Sequence, residues 1–247
     1  MHPAKTPVTT ADPTGFHTLD IISGATAFNR WMYRSIRPFL QGNILEIGSG
    51  IGNISHFVVQ DGYTVSLSDY DADYRSVLAE KYSSCPNVPE VLSIDLEQAD
   101  FFAAYAHLQN RYDTIFLLNV IEHIRDDRKA IQNCAFLLKP QGRLIVLAPA
   151  FSFLYSRLDK ELGHHRRYTT ATMTRLLTRE ELSPVHRQYF NALGLAGWFV
   201  FGLAGRKQLT APAFNLFNTL VPLARLLDRL LGKLGGLSVI AVAEKKN

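Results

Sequence analysis

Cysteine is scarce: Cys85 and Cys134 are the only two in 247 residues. That excludes a disulfide-stapled scaffold and any zinc cluster built on thiolates, and it favours reduced thiols in a cytosolic setting. Residues 1–15 carry prolines at 3, 7 and 13 but no apolar run, so no secretory signal is expected there. Charge is nearly balanced, with 26 Lys and Arg against 22 Asp and Glu. The resulting +4 is too small to argue alone for a nucleic-acid partner. An N/D-P-P-Y/F sequence, a Pro-Cys loop and an aromatic–basic stripe are missing too, which disfavours action on nucleobases. What is present is 47% apolar residues, enough for one large core and too many for a disordered chain.

Residues 1–25 read as a flexible tail and 26–247 as a single domain. Phe28–Leu40 places aromatic and aliphatic residues on one helical stripe, with Arg30, Arg34 and Arg37 between them. From residue 43, short apolar runs alternate with helical patterns. The runs are Asn43–Ile47, Thr64–Ser68, Val88–Ile94, Asp113–Leu118 and Arg143–Ala148. The helical stretches between them are Ile54–Gln60, Asp73–Tyr82, 98–109 and Arg128–Leu138. Such alternation predicts an α/β fold with a parallel sheet and helices on both faces.

The first run ends in Glu46-Ile47-Gly48-Ser49-Gly50-Ile51-Gly52. Three glycines permit a tight turn and close approach of a ligand. The spacing is not the dinucleotide G-x-G-x-x-G, and the Gly-Lys-Ser/Thr ending of a phosphate loop is absent. Glu46 at the same strand end suits a positively charged ligand better than a pyrophosphate. The second run ends in Asp69-Tyr70, where a carboxylate accepts from both hydroxyls of a ribose. The third ends in Asp95-Leu96, which offers an acceptor for an adenine amino group and an apolar wall for its ring. Helix capping is the competing role for both aspartates.

These residues resemble class I S-adenosylmethionine-dependent methyltransferases. LEIGSGIGN is similar to the first motif of that family, LSDYD to its ribose acid and SIDLE to its adenine acid. NVIEHIRDD and LLKPQGRLIVLAP are similar to its signatures around the fourth and fifth strands. The resemblance implies a Rossmann-like seven-stranded sheet, mostly parallel with one antiparallel strand. It implies S-adenosyl-L-methionine as cofactor and S-adenosyl-L-homocysteine as product. Gly48, Gly50, Gly52, Asp69, Tyr70, Asp95, Leu96 and Asn119 become cofactor positions, and Glu46 an organiser of the loop near the ligand amine. The rival readings are a nicotinamide-dependent oxidoreductase, disfavoured by the glycine spacing, and a cofactor-binding accessory protein without catalysis.

Segment 151–168 should choose the acceptor, because ligands of open sheets bind outside the carboxyl ends of the strands. Arg166 and Arg167 offer guanidinium forks for a carboxylate or phosphate, with Tyr155 beside them as a lining residue. His165, His164 and His123 are candidate bases, and Tyr168 an orienting group. No metal is expected: Glu122-His123 lacks the H-E-x-x-H frame, and His164 and His165 are adjacent. Structural roles compete throughout, since Asp159 and Glu161 are placed to neutralise the arginines.

The sixth and seventh strands fit Val185–Phe190 and Leu237–Ala243, leaving an apolar helical insertion over 191–236. Its second half carries leucines at helical spacing with arginines on other faces. That pattern fits a peripheral membrane surface, a cover over the pocket or a dimer interface. It moves the expected acceptor toward a small or lipid-like molecule, with O-methylation favoured.

Overall fold

The computed structural model describes residues 13–180, 182–203, 211–231 and 234–247. Seven strands form one sheet: β1 (Ile44–Ile47), β2 (Val65–Ser68), β3 (Val91–Leu92), β4 (Tyr112–Leu118), β5 (Leu138–Pro149), β6 (Leu182–Phe190) and β7 (Ser238–Lys245). Their order is β3-β2-β1-β4-β5-β7-β6, and β7 alone runs against its neighbours. β1, apart from Glu46, and most of β4 read as buried apolar runs because helices cover both faces of the parallel region.

The first half of the chain contributes α1 (Pro13–Ser23), α2 (Thr26–Ile36), α3 (Ser55–Gln60), α4 (Ala72–Tyr82) and α5 (Phe101–Ala104). The second half adds α6 (Asp127–Leu137), α7 (Arg157–Glu161), α8 (Thr170–Arg179), α9 (Ala192–Leu203) and α10 (Ala211–Leu231). One core, around Ile115, Leu144 and Met173, lies on the α6 and α8 side. The other, around Ile36, Phe57 and Phe190, lies on the α2 and α3 side. The chain winds outward from β1 through β3, then returns to place β4 on the other side of β1. That reversal opens a crevice at the carboxyl ends of β1 and β4, where open sheets bind ligands.

Several expected boundaries shift. β3 shrinks to two residues, as an edge strand paired on one side only. Residues 98–109 break into the short α5 and a 3₁₀ turn, Ala106–Leu108. The tail expectation is corrected from Pro13 onward, because α1 is a helix laid on the domain. Phe16 stacks on Tyr74 at 6.2 Å, and Asn53 Nδ2 donates to the Leu19 carbonyl at 3.0 Å. Residues 1–12 of that tail, and 204–210 and 232–233 of the insertion, lie outside the described residues.

Candidate active site

Gly48, Gly50 and Gly52 have φ of +71°, +53° and +77°, a region L side chains rarely adopt. A Cβ on Gly48 would sit 2.4 Å from Val120 Cγ2, so the turn after β1 presses against the segment following β4. The Glu46 side chain is buried, and the Ser55 hydroxyl at the start of α3 donates to its carboxylate. Burial pushes Glu46 up to about 7, against the pull of the Ser55 bond. A cationic group arriving there would favour the ionised form.

Asp69 is buried at the end of β2 and joins the two loops. Its Oδ2 accepts from Gly50 N at 2.9 Å and its Oδ1 from Asp71 N at 3.1 Å. Burial raises its pKa, with the Asp71 and Gly50 N–H bonds acting the other way. Capping of α4 falls to Asp71 instead, which accepts from Asp73 N at 2.7 Å. Asp95 Oδ1 accepts from Glu97 N at 2.8 Å, so this residue does shape its own turn. Leu96 is buried, and Tyr70 stands exposed beside Asp69. Asn119 directly follows β4 with φ +56° and donates its N–H to the Leu147 carbonyl at 2.8 Å. The turn, Asp69 and Asn119 therefore converge on the crevice. Glycines that leave no room for a Cβ and a buried carboxyl below them fit an adenosyl ligand carrying an amine.

A second cluster is built from the segments that follow β4 and β5, and here the sequence expectations need correction. Arg167 is buried, with Nε at 2.8 Å and Nη2 at 3.0 Å from the two oxygens of Asp159. Its Nη1 donates to the Ala150 carbonyl at 3.1 Å, and its guanidinium lies 4.9 Å from the Trp198 ring. The fork is therefore used inside the protein and is not offered to an acceptor. Tyr168 is also buried, donating to Asp127 Oδ2 at 2.9 Å; burial and Asp127 raise its pKa. Its hydroxyl is committed to that bond. Tyr155 donates to the His164 carbonyl at 2.6 Å. Arg166 pairs with Asp127 at 2.8 Å and donates to the Arg125 carbonyl.

Among the candidate bases, His164 has the most developed surroundings. Its Nδ1 lies 2.9 Å from Asp159 Oδ1, and its ring meets that of His123 edge-on at 4.6 Å between centroids. Burial would raise Asp159, but the bonds from His164 and Arg167 outweigh it and hold the carboxyl below its usual range. His165 is exposed and reaches the cluster through its backbone, donating N–H to the Glu122 carbonyl at 2.7 Å. Glu122 is fully buried beside the pair, and burial pushes it up to about 8. Sequence reasoning weighed Glu122 only with His123 as a metal-ligand pair and set it aside. A carboxylate at a strand end next to a histidine was the available signal.

A family model described as a methyltransferase domain matches residues 28–200. The ubiquinone biosynthesis O-methyltransferase of Erwinia tasmaniensis is 27% identical over 115 residues, covering 46% of this chain and 45% of that enzyme. A hybrid PKS-NRPS synthetase of Talaromyces variabilis is 29% identical over 113 residues, covering 44% of this chain and 3% of the synthetase. The chain thus spans less than half the length of these curated relatives. In structure it resembles phosphoethanolamine N-methyltransferase 2 of Haemonchus contortus, solved with phosphomonomethylethanolamine and S-adenosylhomocysteine. That likeness has a TM-score of 0.63 at 16% identity and covers 96% of this chain and 60% of the other. The YcgJ protein of Bacillus subtilis gives 0.56 at 15% identity, over 89% and 98%. At such identities the likeness speaks for the fold.

Proposed function

Because this chain belongs to the methyltransferase-domain family, a class of S-adenosylmethionine-dependent enzymes, we propose that it methylates an oxygen of a small or lipid-like acceptor. The observation that carries this reading is the Asp159–His164 pair, whose imidazole meets the ring of His123 in the turn that follows β4. When bound, the cofactor supplies a strongly electrophilic methyl group. Gly48, Gly50 and Gly52 would line its amino-acid part, Asp69 would accept from its ribose and Asp95 from its base. The protein must then hold an acceptor oxygen in line and make loss of its proton easy. The His123–His164 cluster is where that proton is given up. A ubiquinone-pathway O-methyltransferase among the relatives favours oxygen.

The test is turnover of methyl-labelled cofactor with a panel of phenolic, quinol and carboxylate acceptors. His164→Ala is expected to cut turnover about 100-fold or more, the usual range for losing proton-transfer help. Affinity for S-adenosylhomocysteine should change by less than about threefold, since uniform binding is untouched. Unchanged turnover at saturating cofactor would place the acceptor elsewhere.

The exposed face of α10 supports a lipid-like acceptor. Leu216, Leu220, Leu223, Leu226 and Leu230 are exposed along it, while Val221 and Ala224 face the core. Its one acid, Asp228, is turned inward, accepting from Asn191 N and Ala192 N at 2.7 Å each. Arg225 and Arg229 flank the leucines, so the outer side combines apolar and positive groups, as at an anionic lipid surface. A second copy would instead set these arginines against each other. No helix among the described residues is long and apolar enough to cross a membrane. The protein is expected to float with phosphatidylglycerol vesicles and not with phosphatidylcholine ones. Leu220→Glu with Leu223→Glu should abolish flotation and leave S-adenosylhomocysteine binding intact. Equal behaviour of the two vesicle types would remove the lipid surface from this account.

A further inference from the structure

We propose that Glu122, His123 and His164 form a site for a divalent first-row transition metal ion of the zinc type. Two of the three come from the 3₁₀ turn after β4 (Ile121–His123), the third from the loop after α7. The backbone bond from His165 N to the Glu122 carbonyl, at 2.7 Å, holds loop and turn together. One ligand atom from each side chain lies within 4.8 Å of the other two. Three such groups meeting at a strand end are not by themselves a metal site.

Two further observations point to a cation. Glu122 is fully buried, and neither of its carboxylate oxygens has a hydrogen-bond partner. Buried carboxylates are normally paired, hydrogen-bonded or bound to a metal. Arg167, the neighbouring positive group, is already committed to Asp159 through both arms of its fork. The other observation is the support behind His164. Ligating histidines characteristically donate their second ring N–H to a carboxylate, which fixes the tautomer and ring plane. Asp159 occupies that place on His164 Nδ1, leaving Nε2 for a ligand, and Arg167 fixes Asp159 in turn.

Two imidazoles and one carboxylate suit Zn²⁺, and also Mn²⁺ or Fe²⁺. Mg²⁺ and Ca²⁺ prefer all-oxygen surroundings. Three protein ligands leave a coordination position for an oxygen of the acceptor. This deepens the methyl-transfer reading and rests on it for the acceptor's place. A hydroxyl next to such an ion is acidified. The O–H bond would break, with the proton passing to solvent water, and the oxygen's electron pair would attack the methyl carbon, whose bond to sulfur breaks with its pair left on sulfur as S-adenosylhomocysteine. The two histidines then serve as ligands in the step that gives up the proton. Spacing along the chain hides the site because His164 arrives from a separate loop.

The chelator-treated full chain should be dialysed against Zn²⁺ or Mg²⁺ and its metal content measured by mass spectrometry. About one Zn²⁺ per chain is expected, with no retained Mg²⁺, and Zn²⁺ should raise the melting temperature. Glu122→Gln keeps the shape of the side chain, and His123→Ala removes an exposed ring. Both should stay folded by circular dichroism and lose at least about tenfold in Zn²⁺ affinity, the typical effect of damaging a metal shell. Sub-stoichiometric Zn²⁺ in the wild type, or equal Zn²⁺ affinity in both variants, would overturn the site. S-Adenosylhomocysteine binding on the same samples separates the two failures. Nucleoside bound without metal overturns this inference alone, whereas metal bound without nucleoside supports the site and overturns the methyl-transfer reading.

Discussion

Asp69→Ala is expected to weaken S-adenosylhomocysteine binding about 100-fold or more, since each hydrogen bond to a charged group contributes about 1.5–3 kcal/mol and a ribose offers two. The same side chain holds Gly50 N at 2.9 Å and Asp71 N at 3.1 Å, so its removal also loosens the turn that carries the ligand. Asp69→Asn separates these effects. An amide oxygen still accepts from one of these two N–H groups, so the turn should be held in part, with affinity falling between that of wild type and alanine. Titration calorimetry measures all three. Near-wild-type affinity for the alanine variant would mean that no ribose sits at the end of β2.

The second large effect concerns stability. Arg167→Ala is expected to cost about 3–5 kcal/mol, the usual loss when one partner of a buried ion pair is removed. Asp159 would keep His164 but lose both arms of the fork, in a place where its own side chain is fully covered. Lysine at 167 should recover only part of the loss, because a point charge cannot reproduce two parallel bonds and a face-on contact with Trp198. Asp159→Asn combined with Arg167→Ala should be less destabilised than the sum of the single changes, as expected for directly coupled groups. Urea unfolding midpoints check this. A loss below about 1 kcal/mol would show that the pair behaves like an exposed one.

The parts of the site built within one strand-turn-helix unit were legible in the sequence. The positive φ values at Gly48, Gly50 and Gly52 fall where the glycines stand, and Asp69 ends its strand as its spacing from Gly50 required. The leucine spacing of α10 likewise announced an apolar face. Contacts between distant segments were not legible. Arg166 and Arg167 look alike as neighbours, yet one is half-exposed and the other lies beneath Trp198. Only the folded loop decides which. The approach of His164 to Glu122 needs the α7 loop to turn back onto β4, and no local periodicity encodes that. α1 was missed for a different reason: prolines at 3, 7 and 13 suggested a tail, whereas Pro13 opens a helix, where its missing N–H costs nothing.

The inward carboxylate of Asp228 fastens the β6–α9 corner to the last turn of α10. Asn191 sits there with φ +67°, and its own Oδ1 accepts from Gly194 N at 2.7 Å. Three hydrogen bonds thus hold this joint. A molecule resting on the leucines of α10 would therefore present its crevice at one fixed tilt to the plane beneath. The direction from which an acceptor tail can enter would then be a property of this corner rather than of the chemistry at the far end.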